Sequence, residues 1–450
     1  MTFNTLVFLF CFLPAALLLG NLVPGKAKNI VLLVLSLLFY AWGDPQYLPV
    51  LLLLIVFSYA AGREIGSFLE QDRLHEARTA LIIGVVFEVL VLAVFKYTRL
   101  SLPMGISFFT FSSLSYLFDV YGEAAEAEKD PVSLALYISF FGKLTSGPIV
   151  MFADMQEQLK ERHVTRTDLG IGANLFLIGL FKKVLIADRL GASFAAVTAL
   201  PALSCLTAWL GVLFYSFQLY FDFSGYSDMA IGLSRMFGFR FARNFDYPYT
   251  SVSISDFWRR WHISLGSWFR EYVYIPLGGN RCTAPVQIRN LLAVWILTGI
   301  WHGSTWNFVF WGLYHGALVL LDKFVLRSAW EKVPKALRVI LTDLAVFIGW
   351  IFFFSPSLGS AFGYLGKLFG SDGVGLVDGT GLYYLRSNLL LLLIAGITSG
   401  PLVKKWHDKL ACGKNDALMY VSLAGYALLF VLCVAGMISA TYSTFLYAAF

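Results

Sequence analysis

Long runs of leucine, valine, phenylalanine and alanine recur along the chain, and short polar connections separate them. A helix that crosses the hydrocarbon core of a bilayer needs about 20 predominantly apolar residues. The runs that can enter a bilayer lie near 5–23, 29–42, 46–62, 80–97, 133–150, 170–187, 203–222, 286–300, 304–322, 337–355, 385–401 and 418–446. A further apolar stretch, 103–120, is interrupted by Pro103 and Gly105, which is compatible with a re-entrant segment.

This pattern predicts an all-α polytopic membrane protein with about 11–13 membrane-embedded helices, together with interfacial and re-entrant helices. Composition agrees, because 58% of the 450 residues are hydrophobic and only 14% are charged. Ordinary soluble domains carry about 25% charged residues, so a soluble, disordered or fibrous chain is excluded. The five cysteines are scattered and lack metal-ligand spacing, so no metal site is predicted.

The basic residues cluster in the connections between apolar runs, and the net charge of +6 is modest. Lysine and arginine are enriched in cytoplasmic loops, so these connections are predicted to lie in the cytoplasm and both termini outside it. Lys96 and Arg99 fit this arrangement poorly. No basic stripe indicates a nucleic-acid partner. The basic residues of the first three such connections are Lys26, Lys28, Arg63, Arg73, Arg78, Lys160, Arg162 and Arg166.

The segment 238–281 differs from the rest because it is rich in arginine and has few long apolar runs. Ser253 and Asp256 have the spacing of a capping box, and Asp256 and Arg260 have that of an i,i+4 ion pair. Apolar side chains follow at spacings of four, four, three and four, which predicts an amphipathic helix at the membrane interface. They are Phe257, Trp261, Leu265, Trp268 and Tyr272.

Two histidines lie where chemistry is plausible. His262 projects off the centre of the apolar face, so it is either an interfacial histidine bonded to water or a lipid headgroup, or part of a site. His302 lies between two apolar runs, in LTGIWHGSTWNFVFWG, beside glycines that permit irregular backbone. That context favours a cavity wall inside the membrane over a histidine that bonds a neighbouring helix. His315 is predicted to be structural.

Two acids, Asp222 and Asp228, lie inside an aromatic run. They could form a proton or ion relay, or pair with arginines such as Arg235 or Arg243; the abundance of arginine favours pairing. Arg281 follows two glycines and could hold a phosphate. The chain shows no Walker, dinucleotide-binding, HExxH or GxSxG motif and no obvious serine or cysteine nucleophile. If the histidines are catalytic, a nucleophile therefore has to come from a substrate or a partner.

Two blocks, NFDYPYTSVSISDFWRRWHISLGSWFREYVYIPLGGNR (244–281) and LTGIWHGSTWNFVFWGLYHG (297–316), closely resemble the membrane-bound O-acyltransferase superfamily. The resemblance is to its bacterial branch, which includes an alginate O-acetylation membrane protein. It covers residues 1 to about 325 and extends more loosely to the end. Segments that match the same branch are PMGISFFTFSSLSYLFDVY (103–121), GPIV (147–150), GLFKKVLIADRL (179–190) and YFDFSGYSDMAIGLSRMFGF (220–239).

The resemblance implies a ring of membrane helices around a thinned centre, with a funnel or tunnel that reaches a catalytic histidine. It implies one membrane domain over residues 1–450. Its expected parts are N-terminal spans (1–100), a catalytic core with both histidine motifs (101–325) and C-terminal spans (326–450).

The resemblance also implies roles for residues. His302 matches the family's WHG histidine and is the expected general base. His262 matches the second histidine of this branch and is expected to position the donor or to stabilise charge. No bound cofactor is expected, since acetyl-CoA or another acyl thioester would be the donor substrate. Candidate substrate contacts are Arg259, Arg260, Asp222, Asp228, Arg281 and Trp301.

The predicted function is an O-acetyltransferase of the bacterial cytoplasmic (inner) membrane. It would pass an acetyl group to a periplasmic or membrane-anchored SGNH-type transferase, for an exopolysaccharide such as alginate or for a cell-wall polysaccharide. Two alternatives stay open: D-alanyl transfer to teichoic acid and proton-coupled transport. YIPLGGNR after the first block resembles the acetylating branch more closely, and the lack of a visible internal repeat weakens the transport alternative.

Overall fold

The computed structural model describes residues 2–23, 25, 27–411 and 416–439, and within these residues every regular element is helical. The described part includes seven helices that are long and apolar enough to cross a membrane, which confirms an all-α polytopic membrane protein. The total of about 11–13 embedded helices, the ring around a thinned centre and the three-part domain stay predictions. The seven are Pro45–Glu70, Leu74–Tyr97, Arg166–Thr198, Trp306–Leu326, Lys335–Phe354, Gly379–Thr398 and Tyr420–Ser439.

Two compact units make up the chain. The first unit holds Met1–Leu180 and Tyr226–Arg243, and the second holds Phe181–Gly225 and Asn244–Leu446. The helices of the first unit are α1 (Leu13–Leu22), α2 (Ala27–Gly43), α3 (Leu48–Glu70), α4 (Leu74–Tyr97), α5 (Ile106–Tyr121), α6 (Pro131–Ser139), α7 (Phe152–Lys160) and nearly all of α8 (Arg166–Phe181).

A buried carboxyl joins three helices of the first unit. Ser58 on α3 donates its hydroxyl to Glu88 of α4 at 2.6 Å and lies 3.0 Å from the hydroxyl of Ser113 on α5. On the opposite side, α4 leaves apolar side chains such as Ile83 and Leu90 more than half exposed. Such an apolar surface is unfavourable in water but suits lipid, so α4 has one protein-facing and one lipid-facing side.

The apolar run 133–150 was predicted to be one membrane helix, and that prediction is wrong. Helix α6 ends at Ser139, and buried turns and irregular backbone follow it. Lys143 lies in these turns, where its ammonium donates to the Ser112 hydroxyl at 2.7 Å and sits 4.1 Å from the centre of the Tyr137 ring. The hydrogen bond and the ring together accommodate an ammonium group that would be costly on a lipid-facing helix.

The stretch 103–120, predicted as a possible re-entrant segment, forms α5. The helix begins after Gly105, whose φ of 75° is left-handed, and nearly all of its residues are buried. A side chain at Gly105 would also meet the backbone of Leu144 and Thr145, so glycine is required there both for its backbone angle and for space. Helix α5 therefore packs against protein on nearly all sides.

The second unit begins with a π-helical turn, Lys182–Ala187. Helix α10 extends well beyond the predicted run 203–222 and ends at Met236, inside the first unit. The helices are α9 (Asp188–Thr198), α10 (Cys205–Met236), α11 (Ile254–Arg260), α12 (Ile263–Phe269), α13 (Ala284–His302), α14 (Trp306–Leu321), α15 (Arg327–Trp330), α16 (Lys335–Phe354), α17 (Leu358–Lys367), α18 (Gly379–Thr398), α19 (Leu402–Ala411) and α20 (Asp416–Ser439).

Helices α13 and α14 form a hairpin in which backbone packs against backbone. A methyl group on Gly299 would lie 2.5 Å from the carbonyl oxygen of Phe308, and one on Gly312 would overlap the carbonyl oxygen of Trp295. Neither carbonyl can move without moving its helix, so both positions require glycine. Small residues allow this close packing of membrane helices. Helix α16 joins the hairpin through Asn307, whose amide donates to the carbonyl of Ser355 at 2.8 Å.

We expect Gly312→Ala to destabilise the protein by about 1–3 kcal/mol, because the added methyl group pushes α14 away from α13. The matched control is Gly266→Ala on α12, where nothing lies within 4 Å of the new methyl group. Thermal unfolding of the detergent-purified variants measures the effect. Equal melting temperatures for the two variants would contradict the close packing.

Candidate active site

His302 is the last residue of α13, and Gly303 continues the chain in an extended conformation. This confirms the predicted break between two apolar helices. The side chain of His302 is only 4% exposed. Its ring centre lies 4.5 Å from that of Trp301, 4.9 Å from that of Trp311 and 5.0 Å from that of Phe353. The imidazole is therefore enclosed by aromatic rings from α13, α14 and α16.

The arginine-rich segment was predicted to be one amphipathic helix, and that prediction is wrong. Two short helices, α11 and α12, replace it, and a π-helical turn follows at Arg270–Tyr274. His262 lies at the break with a left-handed φ of 46°, which a continuous right-handed helix does not contain. Its side chain is 3% exposed, so the interpretation as an interfacial histidine bonded to water or lipid is also wrong.

Asn244 holds the ring of His262. The side-chain oxygen of Asn244 accepts hydrogen bonds from the backbone N–H of Ser264 at 3.0 Å and from its hydroxyl at 2.9 Å. The same oxygen lies 3.2 Å from Nδ1 of His262. A backbone N–H can only donate, so this atom of Asn244 must be the oxygen, and the neutral imidazole must carry its proton on Nδ1. The lone pair is then on Nε2.

The break at His262 lies outside the seven candidate membrane spans. Burial lowers the pKa of His262 to about 3, because a charged imidazolium would lose its hydration there. The ring is therefore neutral near pH 7. Asn244 was not among the predicted site residues, although it is the first residue of the block 244–281 that resembles the family.

The residues predicted to form the apolar face of this segment do share an apolar environment, but they pack against protein and not against the membrane interface. Phe257, Trp261, Leu265 and Trp268 are all buried. The ring of Trp261 lies 5.0 Å from that of Trp350, and Trp350 lies 6.2 Å from Trp311, which contacts His302. A continuous series of aromatic contacts therefore connects the segments that carry the two histidines.

His315 lies deeper in the same cluster of rings. It is fully buried, and its ring centre is 4.8 Å from that of Trp258 and 5.1 Å from that of Trp311. A methyl group on Gly349 of α16 would overlap its imidazole, so α16 packs directly on this ring. The structural role predicted for His315 agrees with this enclosure and stays a prediction.

Asp222 is buried in the second unit beside a lysine. The ammonium of Lys183 lies 2.7 Å from Asp222 and 2.6 Å from Asp188, and Lys183 is itself buried. Asp222 was predicted to pair with an arginine such as Arg235 or Arg243, and for this residue the predicted partner is wrong, because the cation beside it is Lys183. Arg235, one of the arginines considered, pairs with Asp168 at 3.1 Å. An ion-paired buried group of this kind has a structural explanation that needs no substrate.

The remaining candidate contacts differ in exposure. Ser253 caps α11, as predicted, because its hydroxyl accepts from the backbone N–H of Asp256 at 3.2 Å. Asp256 pairs with Arg260 at 3.0 Å, also as predicted, and Arg259 reaches the same carboxylate at 3.6 Å. Arg281 is exposed, whereas Trp301 is buried beside His302. Asp228 belongs to the first unit, where it is half-buried.

Metal chemistry has no evident site in the described ranges. Among these residues, no group of three or more histidine, cysteine, aspartate or glutamate side chains is placed to hold a metal ion.

Residues 38–358 match the sequence profile of MBOAT, the membrane-bound O-acyltransferase family. This range covers more than half of the chain and contains the three buried histidines His262, His302 and His315. The chain therefore belongs to the membrane-bound O-acyltransferase family and is an acyltransferase.

Individual relatives agree with this assignment. The chain is 40% identical over 391 residues to the "Probable alginate O-acetylase AlgI" of Azotobacter vinelandii, which covers 82% of this chain and 78% of that protein. It is 37% identical over 429 residues to the "Peptidoglycan O-acetyltransferase" of Helicobacter pylori, with 83% and 81% covered. Similarity to the "Teichoic acid D-alanyltransferase" of Bacillus subtilis is lower, at 31% over 248 residues, with 52% and 61% covered.

We expect Lys183→Met to destabilise the protein by about 3–5 kcal/mol, because it leaves two buried carboxylates without their cation. The matched control is Lys160→Met, since Lys160 forms an exposed pair with Glu157 and such pairs contribute little. Yield and melting temperature in detergent measure the difference. A Lys183→Met protein as stable as the Lys160→Met control would show that the buried group is not structural.

Proposed function

We propose that this acyltransferase moves an acetyl group from a cytosolic acyl thioester, such as acetyl-CoA, to a hydroxyl group outside the cytoplasm. The names of the relatives that match most of the chain support acetyl as the group and a polysaccharide as the final acceptor. We propose the bacterial cytoplasmic membrane as its location. A periplasmic or membrane-anchored SGNH-type transferase would carry the acetyl group to the polysaccharide.

The observation that carries the proposal is the position of His302, a buried imidazole at a helix break inside the matched family region. A neutral imidazole can take the proton of an acceptor hydroxyl as that oxygen attacks the thioester carbonyl. The carbon–sulfur bond then breaks, and the departing thiolate receives the proton from the imidazolium. The ester is formed, the thiol leaves, and His302 returns to its neutral form.

His262 has a different role in this proposal. Its Nδ1 proton points to Asn244, and burial keeps the ring neutral, which favours positioning over stabilisation of charge. The lone pair on Nε2 can accept a hydrogen bond from a hydroxyl group and hold it in place. Asn244 is then a positioning residue, because it fixes which nitrogen carries the proton.

The proposal gives three different roles to four of the other candidate residues. Arg259 and Arg281 are exposed and can meet the phosphates of a thioester donor or of lipid headgroups, although Arg259 also reaches Asp256. Trp301 packs on the ring of His302 and would shape the pocket around the reacting groups. We assign Asp222 to structure, because its carboxylate neutralises Lys183.

D-alanyl transfer is the second candidate function. The observation in its favour is the similarity to a teichoic acid D-alanyltransferase, but that similarity covers only 52% of this chain. The O-acetylating relatives match at higher identity over more than four-fifths of it. Proton-coupled transport has no support in the family assignment.

We expect His302→Ala to reduce acetyl transfer by about 10²–10⁴-fold, the usual cost of removing a general base. His262→Ala should reduce it less, because water can replace a positioning group. The control is His75→Ala, which alters an exposed histidine at the start of α4. The measurement is the rate of label transfer from an acetyl thioester to the acceptor, at equal amounts of folded protein.

Near-normal transfer by His302→Ala would contradict the proposed mechanism. Equal losses in the His75→Ala control would show that the assay reports expression and not chemistry.

A further inference from the structure

The first unit contains a pocket of about 950 Å³, separate from the histidine motifs, which belong to the second unit. It lies among the start of α2, the connection that leads into α6, and the chain that follows α7. Its volume is within the range of about 300–1,000 Å³ that is typical of small-molecule sites. Its lining includes Lys28, Asn29, Asp130, Ser133, Arg162 and His163.

Two cations of this pocket lack an acidic partner. Within the described residues, the side chain of Lys28 makes neither a hydrogen bond nor an ion pair, and its charge and that of Arg162 repel each other. Arg162 donates only to neutral carbonyl oxygens, those of Phe237 and Gln158, both at 3.2 Å. Its Nη2 is buried and makes no hydrogen bond in the described part of the chain. The guanidinium also lies 4.3 Å from the centre of the Phe239 ring, which offsets part of its desolvation, but this half-buried charge has no counter-charge.

The lining contains three carboxylates, and each of them bonds to a group other than Lys28 or Arg162. Glu128 accepts from the backbone N–H groups of the next two residues at 2.9 and 3.0 Å. Asp130 caps α6 by accepting from the backbone N–H groups of Val132 and Ser133 at 3.1 and 3.2 Å. Glu161 lies 3.1 Å from the ring of His163. Burial lowers the pKa of Arg162 to about 10, which shows that the desolvation of its charge is not compensated. The acidic and basic residues of the whole lining are equal in number, but within the described residues none of the acids pairs with Lys28 or Arg162, so positive charge is in excess at this corner of the pocket.

The pocket also brings together two basic connections that are far apart in the sequence. Lys28 follows the first apolar run, and Arg162 follows α7. The distribution of basic residues predicts a cytoplasmic location for both connections. A pocket formed by the two would be reached from the cytoplasm.

We propose that this pocket binds a phosphate group through Lys28 and Arg162. Guanidinium and ammonium groups pair well with phosphate, and one anion would relieve the repulsion between the two cations. At a cytoplasmic membrane surface this chemistry has two sources. One is the headgroup of an anionic phospholipid, and the other is the phosphate of a soluble nucleotide. The proposal does not depend on which acyl group the enzyme transfers.

The experiment is a binding titration of the full-length protein in neutral detergent. One arm uses adenosine 3′,5′-bisphosphate, and the other uses short-chain phosphatidylglycerol with phosphatidylcholine as the zwitterionic reference. We expect saturable binding in at least one arm. Lys28→Gln and Arg162→Gln should each weaken it about ten- to hundred-fold, the range for a hydrogen bond to a charged group. Arg73→Gln, which removes an exposed charge paired with Glu76, should leave it unchanged.

Binding in the nucleotide arm alone identifies a soluble phosphate, and binding in the lipid arm alone identifies a headgroup; either result supports the site. Arg162 donates hydrogen bonds to two backbone carbonyls, so the Arg162→Gln protein could fail to fold. Lys28→Gln removes no such hydrogen bond, so its affinity alone decides whether the pocket binds phosphate through these side chains. The absence of saturable binding in both arms, or equal affinity of wild type and Lys28→Gln, would overturn the proposal.

Discussion

The close approach of α13 and α14 is the constraint on which the candidate active site depends. Gly299 and Gly312 let each helix pack against a carbonyl oxygen of the other, and no larger side chain fits. The hairpin then ends α13 at His302 and places Trp311 against its imidazole. A shift between the two helices would move the ring that encloses the histidine. In a membrane, where the hydrophobic effect does not drive helices together, such packing is a main source of specificity.

Charged and polar side chains inside the apolar chain are explained by local partners. Glu88 bonds to serine hydroxyls, and Lys183 lies between two aspartates. Each group satisfies the requirement that a charge away from water be paired or hydrogen-bonded. These two groups are therefore explained by the fold alone. His302 is different in kind, because apolar rings enclose it and the family to which the chain belongs performs acyl transfer.

Sequence patterns predicted the features that depend on neighbouring residues. The helical class, the helix break at His302 and the capping of α11 by Ser253 all follow from runs, glycines and short spacings. Features set by distant residues were missed. Asn244 bonds to His262 from 18 residues earlier in the sequence, and Lys183 pairs with Asp222, which is 39 residues later. The helix break at His262 was missed because apolar residues at helical spacing do not reveal a left-handed residue among them.

Transfer through the protein, from one side of the membrane to the other, is tested most directly in sealed vesicles. Reconstituted protein would receive a labelled acetyl thioester on one side only, with the hydroxyl acceptor enclosed on the other. We predict labelled acceptor in the compartment that never contained the donor, at a rate that depends on His302. Labelling only when donor and acceptor share a compartment would contradict transfer across the membrane.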